Sequence, residues 1–218
     1  CSNLHVDSGK KELSIDGKTL KEGDWLTLNG TKGNVYEGKL PMIDASEENQ
    51  MLMDFLKICD SVKRLGVRTN ADTPEDSKKA RQFGAEGIGL FRTEHMFYGK
   101  GSDEPLFLLR KMILSNTQEE RKKALEELFP HVKRDIKGTL EAMDGLPVVI
   151  RLLDPPLHEF LPREQAKLEQ LARDLNIGME ELAKRAEGLH ESNPMMGHRG
   201  VRLGVTYPEV SAMQIRAI

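Results

Sequence analysis

Arginine at the end of an apolar run is the feature of this sequence with the clearest chemical use. Arg92 directly follows Gly87-Ile88-Gly89-Leu90-Phe91, and Arg151 directly follows Val148-Val149-Ile150. A guanidinium offers paired donors in a fixed plane and does not lose its charge, so it suits a carboxylate or phosphoryl group that must be held in one orientation. Other polar residues share these positions: Arg68, Asn70 and Asp72 end one run, Thr93, Glu94 and His95 follow Arg92, and Asp154 follows Arg151. Two readings are open. Either the arginines grip an anionic ligand, or they pair with Asp72, Glu94 and Asp154 and satisfy one another around a rim. Two arginines placed alike favour the ligand.

Gly197-His198-Arg199-Gly200-Val201-Arg202 is basic and flanked by glycine. It could set backbone amides and Arg199 beside an anion, or be a tight loop with solvated charges. His95, His158 and His198 invite a phosphoryl-acceptor or metal reading, but none has metal-ligand spacing, and lone histidines more often bond or pack. None is assigned either role. Met195-Met196 is expected to pack. The basic runs Arg121-Lys122-Lys123 and Lys133-Arg134 lie among Glu119, Glu120, Glu126 and Glu127, as solvated helix faces do.

These residues need elements to position them. Leu13 to Met42 alternates in short runs broken by glycines 17, 23, 30, 33 and 38, with Asn29-Gly30 the strongest hairpin signal. About 30 such residues cannot bury enough apolar surface to stand alone. Ser46 can cap a helix carrying Met51, Leu52, Phe55, Leu56, Cys59 and Val62. Gly66 to Asp72 predicts a strand, Thr73-Pro74 a helix running to Gly84, Gly87 to Phe91 a second strand, about 103–143 a helical stretch, and Pro147 to Asp154 a third strand. Strand, helix, strand, helix, strand predicts a parallel α/β array, whose ligands gather at the carboxyl ends of the strands. Pro162 to Glu191 reads as two helical pieces hinged near Asn176-Ile177-Gly178, a loop insertion too charged for the core.

The 218 residues are 38% apolar and 31% charged with a net charge of −3, a soluble composition without the positive field that draws nucleic acid or anionic lipid. Neither a membrane-length apolar run nor a signal peptide is present, and Cys1 and Cys59 form no metal or disulfide framework, so a cytoplasmic setting is expected. The start at Cys1 and the unpunctuated helical end at Gln214 to Ile218 predict an excised fragment.

Three strings, Gly87 to Phe97 (GIGLFRTEHMF), Val149 to Phe160 (VIRLLDPPLHEF) and Asn193 to Gly200 (NPMMGHRG), resemble the phosphoenolpyruvate-utilising enzymes, and the resemblance runs through essentially the whole chain. It is nearest to the branch that uses pyruvate and inorganic phosphate as acceptors, interconverting ATP, phosphate and pyruvate with AMP, pyrophosphate and phosphoenolpyruvate through a phosphorylated histidine on a swivelling domain. The resemblance implies an α/β fold: residues 1–43 as the β-rich tail of the phosphohistidine domain, 44–64 as a linker helix, and 65–218 as the first strands and helices of a (β/α)8 TIM-type barrel binding phosphoenolpyruvate and pyruvate. It implies active-site roles for Arg92, Arg151 and Arg199, the first two gripping substrate. It also implies a Mg2+ whose ligands are not among these residues, a homodimeric parent, and ATP and phosphate bound through further domains. A chain of only these residues is expected to catalyse nothing, to bind phosphoenolpyruvate weakly at best, and to self-associate through open strand edges. A synthase-like relative with water as acceptor, and a non-catalytic scaffold, are the competing readings.

Overall fold

The computed structural model describes residues 4–42, 49–99, 101–162, 164–193 and 195–218, and divides into two units, Cys1–Asn49 and Gln50–Ile218. The predicted Ser46 cap, Cys1 and the boundary between 43 and 44 lie outside the described residues.

In the first unit β1 (Leu4–Asp7), β2 (Glu12–Ile15) and β3 (Lys18–Lys21) form an antiparallel meander, and β4 (Leu26–Asn29) pairs with β5 (Asn34–Glu37). The Asn29-Gly30 signal does open a hairpin, but a four-residue one in which Asn29 Oδ1 accepts from the Lys32 amide at 3.1 Å. The tight two-residue turn is Asp16-Gly17, with φ of 46° and 81°. That pair of left-handed residues matches the twist of a hairpin, and glycine adopts it without a Cβ penalty.

The second unit opens with α1 (Gln50–Val62), which buries none of its residues. β6 (Thr69–Asn70), β7 (Ile88–Arg92) and β8 (Val148–Arg151) then form a parallel sheet in that order. Between β6 and β7 lies α2 (Pro74–Gln82), started by Thr73, whose side chain accepts from the Asp76 amide, and by proline in the first turn. Between β7 and β8 lie α3 (Asp103–Ile113) and α4 (Gln118–Ala142), the latter begun by a reciprocal capping box of Thr117 and Glu120. The expected strand–helix alternation is therefore present as a small open sheet of mixed α/β character, not a closed barrel.

α4 is the axis of the core. Its Ala124, Leu125, Leu128, Val132 and Ile136 recur at helical spacing and pack on α3 through Leu109 and Met112, and on α8 (Pro208–Ala217) through Val210 and Met213. Ile88 and Phe91 bring β7 into the same cluster. At the start of β7 the sheet is too tight for a side chain, since a Cβ on Gly87 would lie 2.6 Å from the Pro147 carbonyl oxygen.

The two predicted helical pieces after residue 162 are α5 (Gln165–Leu175) and α6 (Met179–Gly188), hinged at Asn176 in the left-handed region, and the short α7 (Val201–Thr206) leads into α8. The exclusion of α5 and α6 from the core is corrected: Leu171, Ala172 and Leu182 are buried in it. Charge count misled because the charges occupy only one side of each amphipathic helix. Met195 and Met196 are 75% and 68% exposed rather than packed.

Candidate functional site

β7 and β8 run parallel, and their register places Arg92 opposite Arg151. Residues opposite one another on neighbouring strands project to the same face, so the two arginine side chains leave the carboxyl end of the sheet on one side. Each strand delivers its arginine because the apolar residues before it, buried Ile88 and Phe91 in β7 and half-buried Val148 and Ile150 in β8, anchor the strand in the core.

A carboxylate orients each guanidinium. Asp72, just past β6, takes both Nε and Nη2 of Arg92, the latter at 2.6 Å, and accepts the Arg92 amide at 2.8 Å. Its Oδ2 also lies 2.9 Å from His95 Nδ1. Arg151 donates through Nη2 to Glu94, and its Nη1 lies 3.4 Å from Asp154 Oδ2. Arg199 donates through Nη2 to that same Asp154 oxygen. One aspartate thus joins two arginines 48 residues apart in sequence. Gly200, with φ of 55°, turns the chain beside it, leaving 3.3 Å between a built Cβ and Asp154 Oδ1.

Pairing governs the ionisation here. Burial works to raise the Asp72 carboxyl, but the bonds from the Arg92 guanidinium and amide, with the nearby His95 and Arg92 charges, outweigh it and hold Asp72 below the usual carboxylate range. The bond to Asp72 raises Arg92 further, and the bond to Asp154 does the same for Arg199.

The group is not fully satisfied from within. Arg92 and Arg151 keep about a third of their side-chain surface open, and among five N–H donors per guanidinium neither Nη1 hydrogen of Arg92 is used by Asp72. Glu94 Oε2 and Arg151 Nε are buried without a hydrogen-bond partner. Both readings left open by the sequence thus have observations behind them: the carboxylates pair with the arginines, and Arg92 Nη1 and Arg151 Nε are not taken up by them.

Of the other singled-out residues, Arg68 lies just before β6, beside Gly89 of β7, rather than at the carboxyl end of a strand. His158 packs tilted against His190 and His198 sets its ring edge against Tyr207, neither joining the arginines. Gln214 of α8 went unnoticed in the sequence. Buried, it accepts the Leu153 amide at 3.1 Å and donates to Thr93 Oγ1 at 3.2 Å, tying together the residues that follow β7 and β8. A lone glutamine in a helix carries no signal of this. Among the described residues no cluster of three or more His, Cys, Asp or Glu side chains is set to hold a metal ion, and Asp72, Glu94 and Asp154 are each engaged by arginine. The described residues do not fit a Mg2+ site.

A family model described as PEP-utilising enzyme, PEP-binding domain, matches residues 46–218. The chain is 49% identical over 220 residues to the chloroplastic pyruvate, phosphate dikinase of Flaveria pringlei, covering all of this chain and 23% of that protein. It is 50% identical over 222 residues to pyruvate, phosphate dikinase 2 of Oryza sativa subsp. japonica, covering 24% of it. To the pyruvate, phosphate dikinase of Giardia intestinalis it is 47% identical over 215 residues, covering 98% of this chain and 24% of that one. The chain spans about a quarter of the length of these curated relatives.

Proposed function

This chain belongs to the PEP-utilising enzymes, and from that premise we propose that it supplies part of the phosphoenolpyruvate and pyruvate site of a pyruvate, phosphate dikinase. The parent reaction interconverts ATP, phosphate and pyruvate with AMP, pyrophosphate and phosphoenolpyruvate through a phosphohistidine. Nucleotide and phosphate are handled by further domains in a homodimeric parent, where Mg2+ is held by residues outside this chain. Residues 65–218 are the opening strands and helices of a (β/α)8 barrel, 44–64 its linker helix, and 1–43 the tail of the phosphohistidine domain. The compartment is cytoplasmic, with a plastid as the competing location because several relatives are chloroplastic by name.

The observation carrying this reading is the register pairing of Arg92 with Arg151, with Arg199 drawn to the same place through Asp154. Phosphoryl transfer asks a protein chiefly for positioning and for stabilisation of charge on the moving group, and converging guanidinium groups supply both. Arg92 and Arg151 would take the carboxylate and phosphoryl groups, with Arg199 alongside. No residue here supplies the phosphorylated histidine or the proton donor to the enolate, so the chain alone binds without turning over.

Calorimetry with phosphoenolpyruvate and with oxalate tests this. Weak binding by the chain, reduced tenfold or more in Arg92→Ala and in Arg151→Ala, is the expected result. A second reading has its own support, since Asp72, Glu94 and Asp154 pair with all three arginines as they would in a non-catalytic scaffold. Equal heats for parent and Arg151→Ala would favour that scaffold, and dikinase turnover by the chain alone would refute the assignment of missing parts.

A further inference from the structure

Asp72 does more than neutralise Arg92. Its side chain is 13% exposed; its Oδ2 accepts from Arg92 Nη2 at 2.6 Å and lies 2.9 Å from His95 Nδ1. The carboxylate thus orients Arg92 and stands against His95 at once, and its bond from the Arg92 amide at 2.8 Å fixes the backbone of the first. His95 is the one exposed residue of the turn Thr93–Phe97, where Thr93, Glu94, Met96 and Phe97 are buried. Holding an exposed ring beside a largely enclosed carboxylate costs side-chain entropy. With Nδ1 2.9 Å from Asp72, the ring's other nitrogen is the one farther from the carboxylate.

We infer that His95 is a further ligand-contacting group of the arginine site, with Asp72 as the positioning residue that presents both the His95 Nε2 edge and the Arg92 Nη1 edge to one anionic ligand. The inference rests on the reading of this site as a grip for phosphoenolpyruvate. When both ring nitrogens carry a proton, the Nε2–H is free to donate to an anionic oxygen, a charge-assisted bond of the kind a phosphoryl or carboxylate group accepts. His95 stands three residues beyond Arg92 and shares its anchor, so the ligand need not move to meet both.

The test uses the full chain labelled with 15N-histidine and titrated with phosphoenolpyruvate, alongside His95→Asn, His95→Gln, Asp72→Ala and Asp72→Asn checked by thermal melting. Asparagine keeps a donor where Nδ1 stood and removes the far edge, whereas glutamine reaches towards the Nε2 position. The expected result is an Nε2 resonance that moves on saturation, tenfold or more weaker binding by His95→Asn with unchanged melting, and smaller loss in His95→Gln. Asp72→Ala and Asp72→Asn weaken binding too, but by less once Arg92→Ala and His95→Asn are already in place, since Asp72 acts through those two groups. A purely structural Asp72 would cause the same loss in every background, and that result overturns the positioning role. His95→Asn binding like the parent, with Nε2 unmoved, overturns the histidine contact while leaving the arginine reading intact if Arg92→Ala and Arg151→Ala still weaken binding. A parent chain that does not bind, or arginine variants that bind equally well, refutes the phosphoenolpyruvate reading and this inference with it.

Discussion

In residues 50–218 Ile88, Phe91, Met112 and Leu182 are sealed from solvent, whereas in residues 4–42 not one described side chain is buried and Trp25 stands 63% exposed. The two units are held by different forces. The larger one has a contiguous apolar cluster linking sheet, α3, α4, α5, α6 and α8, so its strand ends are fixed by burial and can hold charged groups in register. The smaller is held by strand ladders, turns and exposed ion pairs such as Lys18–Glu37 and Lys11–Glu22, which contribute little in water. Precise placement of charge is found only where there is a core to brace it.

The comparison breaks first if removing core volume proves harmless. Phe91 is fully buried and directly precedes Arg92, so Phe91→Ala should destabilise the larger unit by about 3–5 kcal/mol. Urea unfolding monitored by circular dichroism reads this, and a loss below about 1 kcal/mol would mean that β7 is not braced as described. Next in size is the pair of Arg121 on α4 with Glu209 on α8, 2.7 Å apart and both largely buried. Burial works to raise Glu209, but the Arg121 bond and lesser contacts outweigh it and leave the carboxyl depressed. A depressed carboxyl stabilises the fold above its unfolded value, near 4.5, and that contribution fades as pH falls through the folded value. Arg121→Ala leaves the carboxylate buried without its cation and should cost about 3 kcal/mol at pH 7. It should also reverse the trend, because protonating an unpartnered buried carboxyl relieves it: the parent loses melting temperature from about pH 4 downwards, while the deficit of the variant narrows. Parallel curves for the two proteins would show that the pair carries no such linkage.

The same contrast explains what could be read from the residues alone. Arg92 and Arg151 were legible because a charged fork after an apolar run has few places to go except the end of a buried strand. Their carboxylate partners were legible as candidates, yet only the register of β7 on β8 and the position of Asp72 show which arginine each one takes. Gln214 could not be found, since its use depends on α8 docking under the ends of two strands 61 and 121 residues away along the chain. α5 and α6 were misread because composition averages over a helix while burial selects one stripe of it. β1 lies before the stretch read as alternating and escaped notice because a four-residue strand without a buried face carries almost no alternation to detect.

The smallest expected effect falls on the smaller unit, and it tests whether turns rather than core hold that unit together. Gly17 occupies the second position of the two-residue turn between β2 and β3 with φ of 81°, and a Cβ there would meet nothing within 4 Å. Gly17→Ala is therefore a clean change of backbone preference, without a clash, and an L-residue held in that region costs about 1–2 kcal/mol. In a unit with a large apolar reserve such a loss would pass almost unnoticed. Here it is comparable with everything that about 40 residues without a core can muster, so amide protection should fall across Leu4 to Lys21 while Ile88, Phe91 and Val132 exchange as slowly as before. Unchanged protection in the meander would mean that something other than its turns and ladders stabilises it, and the contrast between the two units would then be one of accessibility rather than of force.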